Sequence, residues 1–331
     1  MSATCRRRVV SPIAMVVLLS PASLNLVGPV VTVLSGACLV ALAQAADVTE
    51  SAAGSTATVA ATAPEVDAAD IFARKNLVAW CIVPFDGKGR SPAERAAMLE
   101  ALGISRVAYD WRPQHVPEFE TEILEYAKRG IEYVAFWSRH PDAFALFKKH
   151  GLTPQVWITA PSPEGATDAE RVAAAVARLA PVATEVGAMG CQLGLYNHGG
   201  WGGEPANLVA VCEALRAAGH EHVGIVYNLH HGHGHIADFA ACLAAMRPYL
   251  LCLNLNGMTE GTKILQLGRG EHDLAILRAI RDSGYAGPIG IIGHTNDDVE
   301  ARLRDNLAGL DWLLPQLDGE PAGPPPAYRT P

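Results

Sequence analysis

Residues 191–256 carry three short apolar runs, CQLGLYN (191–197), VGIVYN (223–228) and LLCLNL (250–255), separated by amphipathic stretches at 205–218 and 235–247. Each run is short and almost continuously apolar, which is typical of a strand covered on both faces of a sheet. The intervening stretches have the apolar spacing of helices that cover such a sheet. This segment therefore predicts parallel strands that are connected by helices.

The same alternation extends over the rest of the core. Further strands are predicted at 77–84, 106–110, 132–137, 154–159 and 288–293, and further helices at 92–102, 117–129, 141–150, 167–186, 273–283 and 297–314. Eight strands and eight helices in about 240 residues fit a closed barrel. The rival open, doubly wound sheet lacks a G-x-G-x-x-G run after its first strand. We therefore predict an α/β fold, a single (β/α)8 TIM barrel over residues 75–317.

Composition limits the partners. The chain has 331 residues, a formal net charge of −8, 50% hydrophobic and 18% charged residues. An apolar content this high excludes a disordered chain. The acidic balance, with no basic run beyond Arg6–Arg8, argues against nucleic acid as a partner.

The amino-terminal region predicts export. Arg6–Arg8 precede an apolar stretch that ends in Ala43-Gln44-Ala45-Ala46, the form of a signal peptide over 1–46. The alternative is an uncleaved membrane anchor, and the arginines leave Sec or twin-arginine export open. We expect a periplasmic or extracellular protein with a flexible linker at 47–74, a loose Pro-rich tail at 318–331, and no membrane contact beyond the leader. Five cysteines remain after the leader, an odd number without a C-x-x-C pair, so buried thiols are expected.

Histidines are concentrated where a barrel carries its active site, at the carboxyl ends of the strands. Six of the 12 histidines follow three predicted strands: His198, His230, His231, His233, His235 and His294. Imidazoles transfer protons near neutral pH and also ligate metals. We predict His198, His231 and His294 as catalytic residues, and His233 and His235 as loop histidines.

Amide and aromatic side chains at the carboxyl ends of the strands favour a sugar as the ligand. Asn254 and Asn256 alternate with leucines, so both are expected to point into the barrel, where amides can donate to and accept from hydroxyls. Tryptophans at the rim can stack on a sugar ring. The predicted substrate-binding residues are Trp111, Arg112, Trp137, Asn197, Trp201, Asn228, His230, Asn254 and Asn256. Gly268–Gly270 could bind an anion through backbone N–H groups.

Residues 76–317 resemble the sugar phosphate isomerase/epimerase family in the segments AWCIVPFD (79–86), YNHGGW (196–201), NLHH (228–231) and NLNGM (254–258). The resemblance implies a xylose isomerase-like TIM barrel and an activity such as ketose epimerisation or inosose dehydration. In typical members two glutamates, an aspartate and a histidine bind a divalent metal, and the glutamates move the proton.

This sequence departs from the family at each metal ligand. Tyr196 and Asn228 take the places of the first glutamate and the aspartate, Asn254 takes that of the histidine, and the second glutamate has only His294 nearby. Neutral groups there remove most of the charge that holds Mg²⁺ or Mn²⁺. The cofactor is left open: a divalent metal without its usual carboxylates, or zinc on His198, His231 and His294.

Three functions remain open. The first is an exported isomerase, epimerase or lyase that removes a proton next to the carbonyl of a free or oxidised sugar, with His198 or His231 as base and the other or His294 as acid. The second is a non-catalytic carbohydrate-binding barrel. The third, glycoside hydrolysis, needs two carboxyl groups, and only Asp86, Asp110 and Glu204 are candidates. The specific sugar and the oligomeric state are left open.

Overall fold

The parallel strands close on themselves in a computed structural model that describes residues 71–292 and 295–331. Each strand pairs with its chain neighbours, and the eighth pairs in parallel with the first. The strands are β1 (Leu77–Trp80), β2 (Arg106–Asp110), β3 (Glu132–Trp137), β4 (Gln155–Thr159), β5 (Leu193–Tyr196), β6 (Val223–Asn228), β7 (Leu250–Leu255) and β8 (Ile289–Ile292). The predicted (β/α)8 barrel is confirmed.

In the described part of the chain, eight α-helices alternate with the strands. They are α1 (Pro92–Leu102), α2 (Phe119–Lys128), α3 (Pro141–His150), α4 (Asp168–Ala188), α5 (Pro205–Ala217), α6 (Phe239–Met246), α7 (Asp273–Asp282) and α8 (Val299–Leu317). The predicted signal peptide, the predicted linker up to residue 70, and the site residue His294 lie outside the described residues. Among the described residues, no helix has the length and apolar content needed to cross a membrane.

The first strand is shorter than predicted. We expected it over 77–84, but β1 ends at Trp80 because Cys81 has a φ of 58°. This left-handed conformation is unusual for a residue other than glycine and cannot continue a strand. The chain therefore leaves the sheet at Cys81 and forms the first loop over the carboxyl end of the barrel.

Aromatic side chains fill the interior of the barrel. The ring centroids of Trp80 and Trp157 lie 4.4 Å apart, and Tyr196 lies 5.6 Å from Trp80. Two strand glycines provide the space: a Cβ at Gly290 would lie 2.7 Å from Trp80 Cε3, and one at Gly194 would lie 2.6 Å from Trp157 Cδ1. The barrel is thus a packed core with an aromatic layer below its carboxyl end.

The carboxyl-terminal tail is held at its end, which corrects the expectation of a loose segment. Asp305 accepts the backbone N–H groups of Arg329 at 2.8 Å and Thr330 at 2.7 Å. Gln266 Nε2 donates to the Thr330 carbonyl at 2.8 Å. A Pro-rich chain makes few hydrogen bonds with itself, and here buried side chains of the barrel supply them.

The five cysteines of the described residues carry free thiols. Four are buried, and Cys242 is half-buried. Burial is the arrangement predicted from their positions in apolar runs.

Candidate active site

A cavity of about 150 Å³ opens at the carboxyl end of the barrel. It is lined by Trp80, Cys81, Phe85, Asp110, Arg112, Trp137, Tyr196, His198, His230 and His231. Strands β1, β2, β3, β5 and β6 or the loops that follow them supply these residues. This is the end of the barrel where the sequence placed the site.

Two of the predicted catalytic histidines meet on one side of this cavity. His198 follows β5 and His231 follows β6, and their ring centroids lie 4.4 Å apart. His230 lies 3.7 Å from His231, again between ring centroids. Because β5 and β6 are paired neighbours, their loops leave the barrel side by side. The imidazoles therefore form one cluster.

A buried amide network lies beside the histidines. Asn228 Nδ2 donates to the Tyr196 hydroxyl at 2.7 Å, and Asn228 Oδ1 accepts from Asn254 Nδ2 at 3.0 Å. The same oxygen lies 3.1 Å from His230 Nδ1. Asn197 bonds to the backbone of Asn228 through both its amide oxygen and its amide nitrogen. The network fixes the end of β6 and the imidazole ring of His230, which follows that strand.

The metal that the resemblance implies does not fit this donor set. Burial raises the pKa of the Tyr196 phenol well above its usual value, so it is a neutral group. The Asn228 nitrogen, a donor, points at Tyr196, and the Asn228 oxygen is used by Asn254. Neutral, mutually bonded groups do not replace the carboxylates on which Mg²⁺ and Mn²⁺ depend. A metal-dependent catalytic step therefore does not fit these positions.

Asp110 is the carboxyl group of the cavity. It is the last residue of β2 and is 5% exposed, and its Oδ1 has no hydrogen-bond partner among the residues that the structure describes. Burial raises the pKa of Asp110 to about 7, and the charge of Arg112 offsets this only in part. Burial, and after it the charge of Asp110, raises the pKa of the neighbouring Cys81 thiol, which stays protonated. Asp110 can thus gain or lose a proton near neutral pH.

Asp110 and the histidine cluster lie on opposite sides of the barrel. The strands are arranged in chain order around the closed barrel, so three strands separate β2 from β6 in either direction. Asp110 ends β2, and His230 and His231 follow β6. A ligand in the cavity would therefore have a carboxyl group on one side and imidazoles on the other.

Arg112 supplies the positive charge of the cavity wall. It is the one Lys or Arg among the lining residues that the structure describes. Its guanidinium carbon lies 5.3 Å from the centre of the Phe85 ring, and its Nη1 donates to the Trp111 carbonyl at 2.8 Å. These contacts hold the side chain at the rim.

The structure brings together only part of the predicted substrate-binding set. Arg112, Trp137 and His230 line the cavity, and Asn197, Asn228 and Asn254 form the buried network beside it. Three other residues lie elsewhere for local reasons. Trp111 packs on Phe119 and Phe136, Trp201 donates to Asp168, and Asn256 donates to the carbonyls of Gly257 and Lys263.

Five lining residues were not in the predicted set: Trp80, Cys81, Phe85, Asp110 and Tyr196. Two of them carry a usable sequence signal: Tyr196 takes the place of the first glutamate of the family that the chain resembles, and Asp110 lies two residues after Ala108, which faces the barrel interior. Phe85 and Cys81 reach the cavity through the loop that begins when β1 ends early.

The paired carboxyl groups that glycoside hydrolysis requires are not assembled from the three candidates. Asp86 is buried in an ion pair with Arg90 at 2.8 Å, and Glu204 Oε2 lies 2.8 Å from His235 Nε2. Only Asp110 lines the cavity. His233, the other loop histidine, lies 2.8 Å from the Thr259 carbonyl.

The anion site expected at Gly268–Gly270 is also corrected. The backbone N–H groups of Gly268 and Gly270 donate to Asp273 Oδ2 at 2.8 and 3.1 Å. This side chain already supplies the negative charge that the loop binds.

Comparison with known proteins identifies the fold. No protein-family model matches the chain, and no curated protein matches it in sequence. Among solved structures, a 3-keto-D-glucoside 4-epimerase from E. coli shares 14% identity at a TM-score of 0.56, over 72% of this chain and 99% of that one. An L-ribulose 3-epimerase shares 14% identity at a TM-score of 0.55, over 74% of this chain and 96% of that one. A xylose isomerase domain protein from Alicyclobacillus acidocaldarius shares 16% identity at a TM-score of 0.53, over 74% of this chain and 99% of that one. The chain has the xylose isomerase-like TIM-barrel fold.

Proposed function

We propose that this chain is a sugar isomerase- or epimerase-like enzyme that moves a proton next to a carbonyl group without the metal centre of the family it resembles. The observation that carries this proposal is the placement of Asp110 in the same cavity as His198 and His231, at the end of the strand opposite the one that His231 follows. The similarity of the fold to sugar epimerases supports it.

The proposed chemistry uses the two sides of the cavity in turn. An imidazole of His198 or His231 accepts the proton from the carbon next to the carbonyl, and the electron pair of that C–H bond moves onto the carbonyl oxygen as an enediolate. Asp110, protonated in a fraction of molecules near its pKa of about 7, returns a proton to the opposite face. Return to the same carbon inverts its configuration. Return to the former carbonyl carbon completes an isomerisation when the proton of the adjacent hydroxyl also moves to the former carbonyl oxygen, so that the hydroxyl carbon becomes the new carbonyl.

The rest of the wall suits a sugar without a phosphate group. Trp80, Phe85, Trp137 and Tyr196 supply aromatic faces, and Arg112 is positioned to bind the carbonyl oxygen or a carboxylate of an oxidised sugar. One guanidinium at the rim is less than the cluster of donors that phosphate sites provide.

The test is proton exchange with solvent. The protein is incubated in D₂O with a panel of aldoses, ketoses, 3-keto sugars and uronic acids, and ¹H NMR follows the loss of the signal next to the carbonyl. We expect exchange with at least one class. Asp110→Asn should keep this exchange but lower product formation, read from the same spectra, by about 100-fold or more, because it removes the proton donor and not the base. The control is His220→Gln, because His220 precedes β6 at the other end of the barrel.

The alternative is a carbohydrate-binding barrel without catalysis, which the neutral amide network favours. Calorimetry on the same panel separates the two. Binding of a sugar without deuterium exchange under any condition would overturn the enzymatic proposal and support the alternative.

We also propose that the protein is exported, on the basis of Arg6–Arg8, the apolar stretch and the Ala43–Ala46 end of the leader. Expression of the full chain in a bacterium, followed by fractionation and sequencing of the mature amino terminus, tests this. Cleavage after Ala45 or Ala46 is expected. An intact chain in the membrane fraction would instead indicate an anchor.

A further inference from the structure

Outside the cavity, three different metal-ligating side chains converge at the start of α6. One ligand atom each from His235, Asp238 and Cys242 lies within 4.8 Å of the others. His235 Nδ1 lies 3.4 Å from Asp238 Oδ2, and Cys242 Sγ lies 3.6 Å from both of these atoms. An imidazole, a carboxylate and a thiol thus share one small volume.

These distances match the edges of a tetrahedral zinc site. Zn–N and Zn–O bonds of about 2.0–2.1 Å and a Zn–S bond of about 2.3 Å place neighbouring ligand atoms about 3.3–3.7 Å apart in a tetrahedron. The three observed separations agree with that range to within about 0.1 Å. A cation at the centre would need only small movements of the side chains.

The local sequence explains the convergence. Asp238 immediately precedes α6, and Cys242 lies four residues later on the same face of the helix. His235 ends the short 3-10 turn before the helix and brings its ring over this face. The spacing H-x2-D-x3-C therefore presents three ligands from one continuous segment.

A fourth residue orients the imidazole. Glu204, just before α5, lies with its Oε2 2.8 Å from His235 Nε2, so that Nδ1 is directed at Asp238 and Cys242. A carboxylate bound to the distal nitrogen is the common outer partner of a metal-ligating histidine. Within the described residues, neither Glu204 nor Asp238 forms an ion pair with a lysine or arginine. Among the described residues, His235 is the one ion-pair partner of these two carboxylates.

We propose that His235, Asp238 and Cys242 bind a zinc-class divalent cation, with Glu204 as the residue that positions His235 and with water as the fourth ligand. Nitrogen and sulfur ligands favour zinc over Mg²⁺ or Ca²⁺, which prefer oxygen. The segment between β6 and α6 also carries His230 and His231. A metal here would join that segment to the start of α5, beside the cavity and separate from it.

The test uses the full-length protein freed of metal and titrated with Zn²⁺ or Co²⁺. We expect one equivalent of Co²⁺ to give a sulfur-to-cobalt charge-transfer band and the intense visible bands of a tetrahedral ion. Cys242→Ser should remove the charge-transfer band, and His235→Gln should weaken Zn²⁺ binding by tenfold or more. Glu204→Gln should weaken it by about tenfold, as for other outer partners.

Two controls keep the result specific. Cys191→Ser removes a buried thiol elsewhere, and His272→Gln disrupts an exposed group formed with Glu260 and Glu271. Neither should change the cobalt spectrum, and circular dichroism should show that every variant is folded. Absence of cobalt binding at micromolar concentrations, or an unchanged spectrum in folded Cys242→Ser, would overturn the proposal. The readout is independent of sugar turnover, so it does not depend on the proposed function.

Discussion

The rings of His198 and His231 lie 4.4 Å apart between centroids, although the two residues follow different strands. Each also contacts Tyr196, with ring centroids 5.9 and 5.4 Å away. Their proximity results from the pairing of β5 with β6, which sets their loops side by side. Side chains this close act on a ligand together.

We therefore expect His198→Gln and His231→Gln each to lower the rate of deuterium exchange by about 100-fold or more. The double variant should lose little more than the worse single variant, because residues that act as a unit are not additive. Exchange rates by ¹H NMR for the four proteins provide the measurement. Full activity in either single variant would remove that histidine from the mechanism.

The buried carboxyl group of Asp110 should make stability fall as pH rises. Burial raises its pKa from 3.8 to about 7, so between these values only the folded state holds the proton. The stabilisation is present below pH 4 and is lost as pH rises through about 7, a change of up to about 4 kcal/mol in the free energy of unfolding. Urea unfolding from pH 4 to 8 should show this slope in the wild type and lose it in Asp110→Asn. Asp282→Asn, at an exposed carboxylate, should keep the slope.

The aromatic layer should be sensitive to one added methyl group. A Cβ at Gly290 would lie 2.7 Å from both Trp80 Cε3 and Asn254 Oδ1, so Gly290→Ala should cost about 1–3 kcal/mol and displace Trp80. Tryptophan fluorescence and urea unfolding measure the two effects. Gly234→Ala is the matched control, since its Cβ would lie within 4 Å of none of the described residues other than its chain neighbours. Equal stability of the two variants would show that the aromatic rings move to accommodate the added methyl group.

The carboxyl-terminal segment should detach when its buried acceptor is removed. Burial by itself raises the pKa of Asp305, but hydrogen bonds from the backbone of Arg329 and Thr330 outweigh it and hold that pKa below its usual value. Asp305→Ala should therefore cost about 1.5–3 kcal/mol and expose the segment to carboxypeptidase. This stabilisation is present above the unfolded pKa, near 4, and is lost as pH falls further.

The control for this prediction is Asp311→Ala, which removes an exposed pair with Arg74 and should cost less than about 1 kcal/mol. If both variants are digested at the rate of the wild type, the contacts of Asp305 do not anchor the segment.

Most of the fold follows from the sequence because apolar runs and helix ends are local signals. Ser91 and Glu94 form a capping box at the predicted start of α1, and Gly103 ends it with a φ of 67°. The bounds of β2, β3, β6 and β7 agree with those predicted. The end of β1 was missed because nothing in its apolar composition reveals the left-handed conformation of Cys81.

The site follows from the sequence only as far as strand order allows. The topology brings His198 and His231 together, and both were predicted as catalytic. Side-chain direction in the loops is a matter of packing, so Trp111 and Trp201, which follow strands in the same way, bond or pack elsewhere. The environment of Asp110 depends on burial by distant segments, which composition does not reveal.

The aromatic layer of Trp80 and Trp157 affects how ligands enter and leave the cavity. Because these rings pack against each other inside the barrel and Trp80 also lines the cavity, we expect ligands to enter and leave at the carboxyl end of the barrel. A released molecule must leave by the path on which the next one arrives. Product that is still bound in the cavity prevents substrate from entering. Accumulated product should therefore act as a competitive inhibitor.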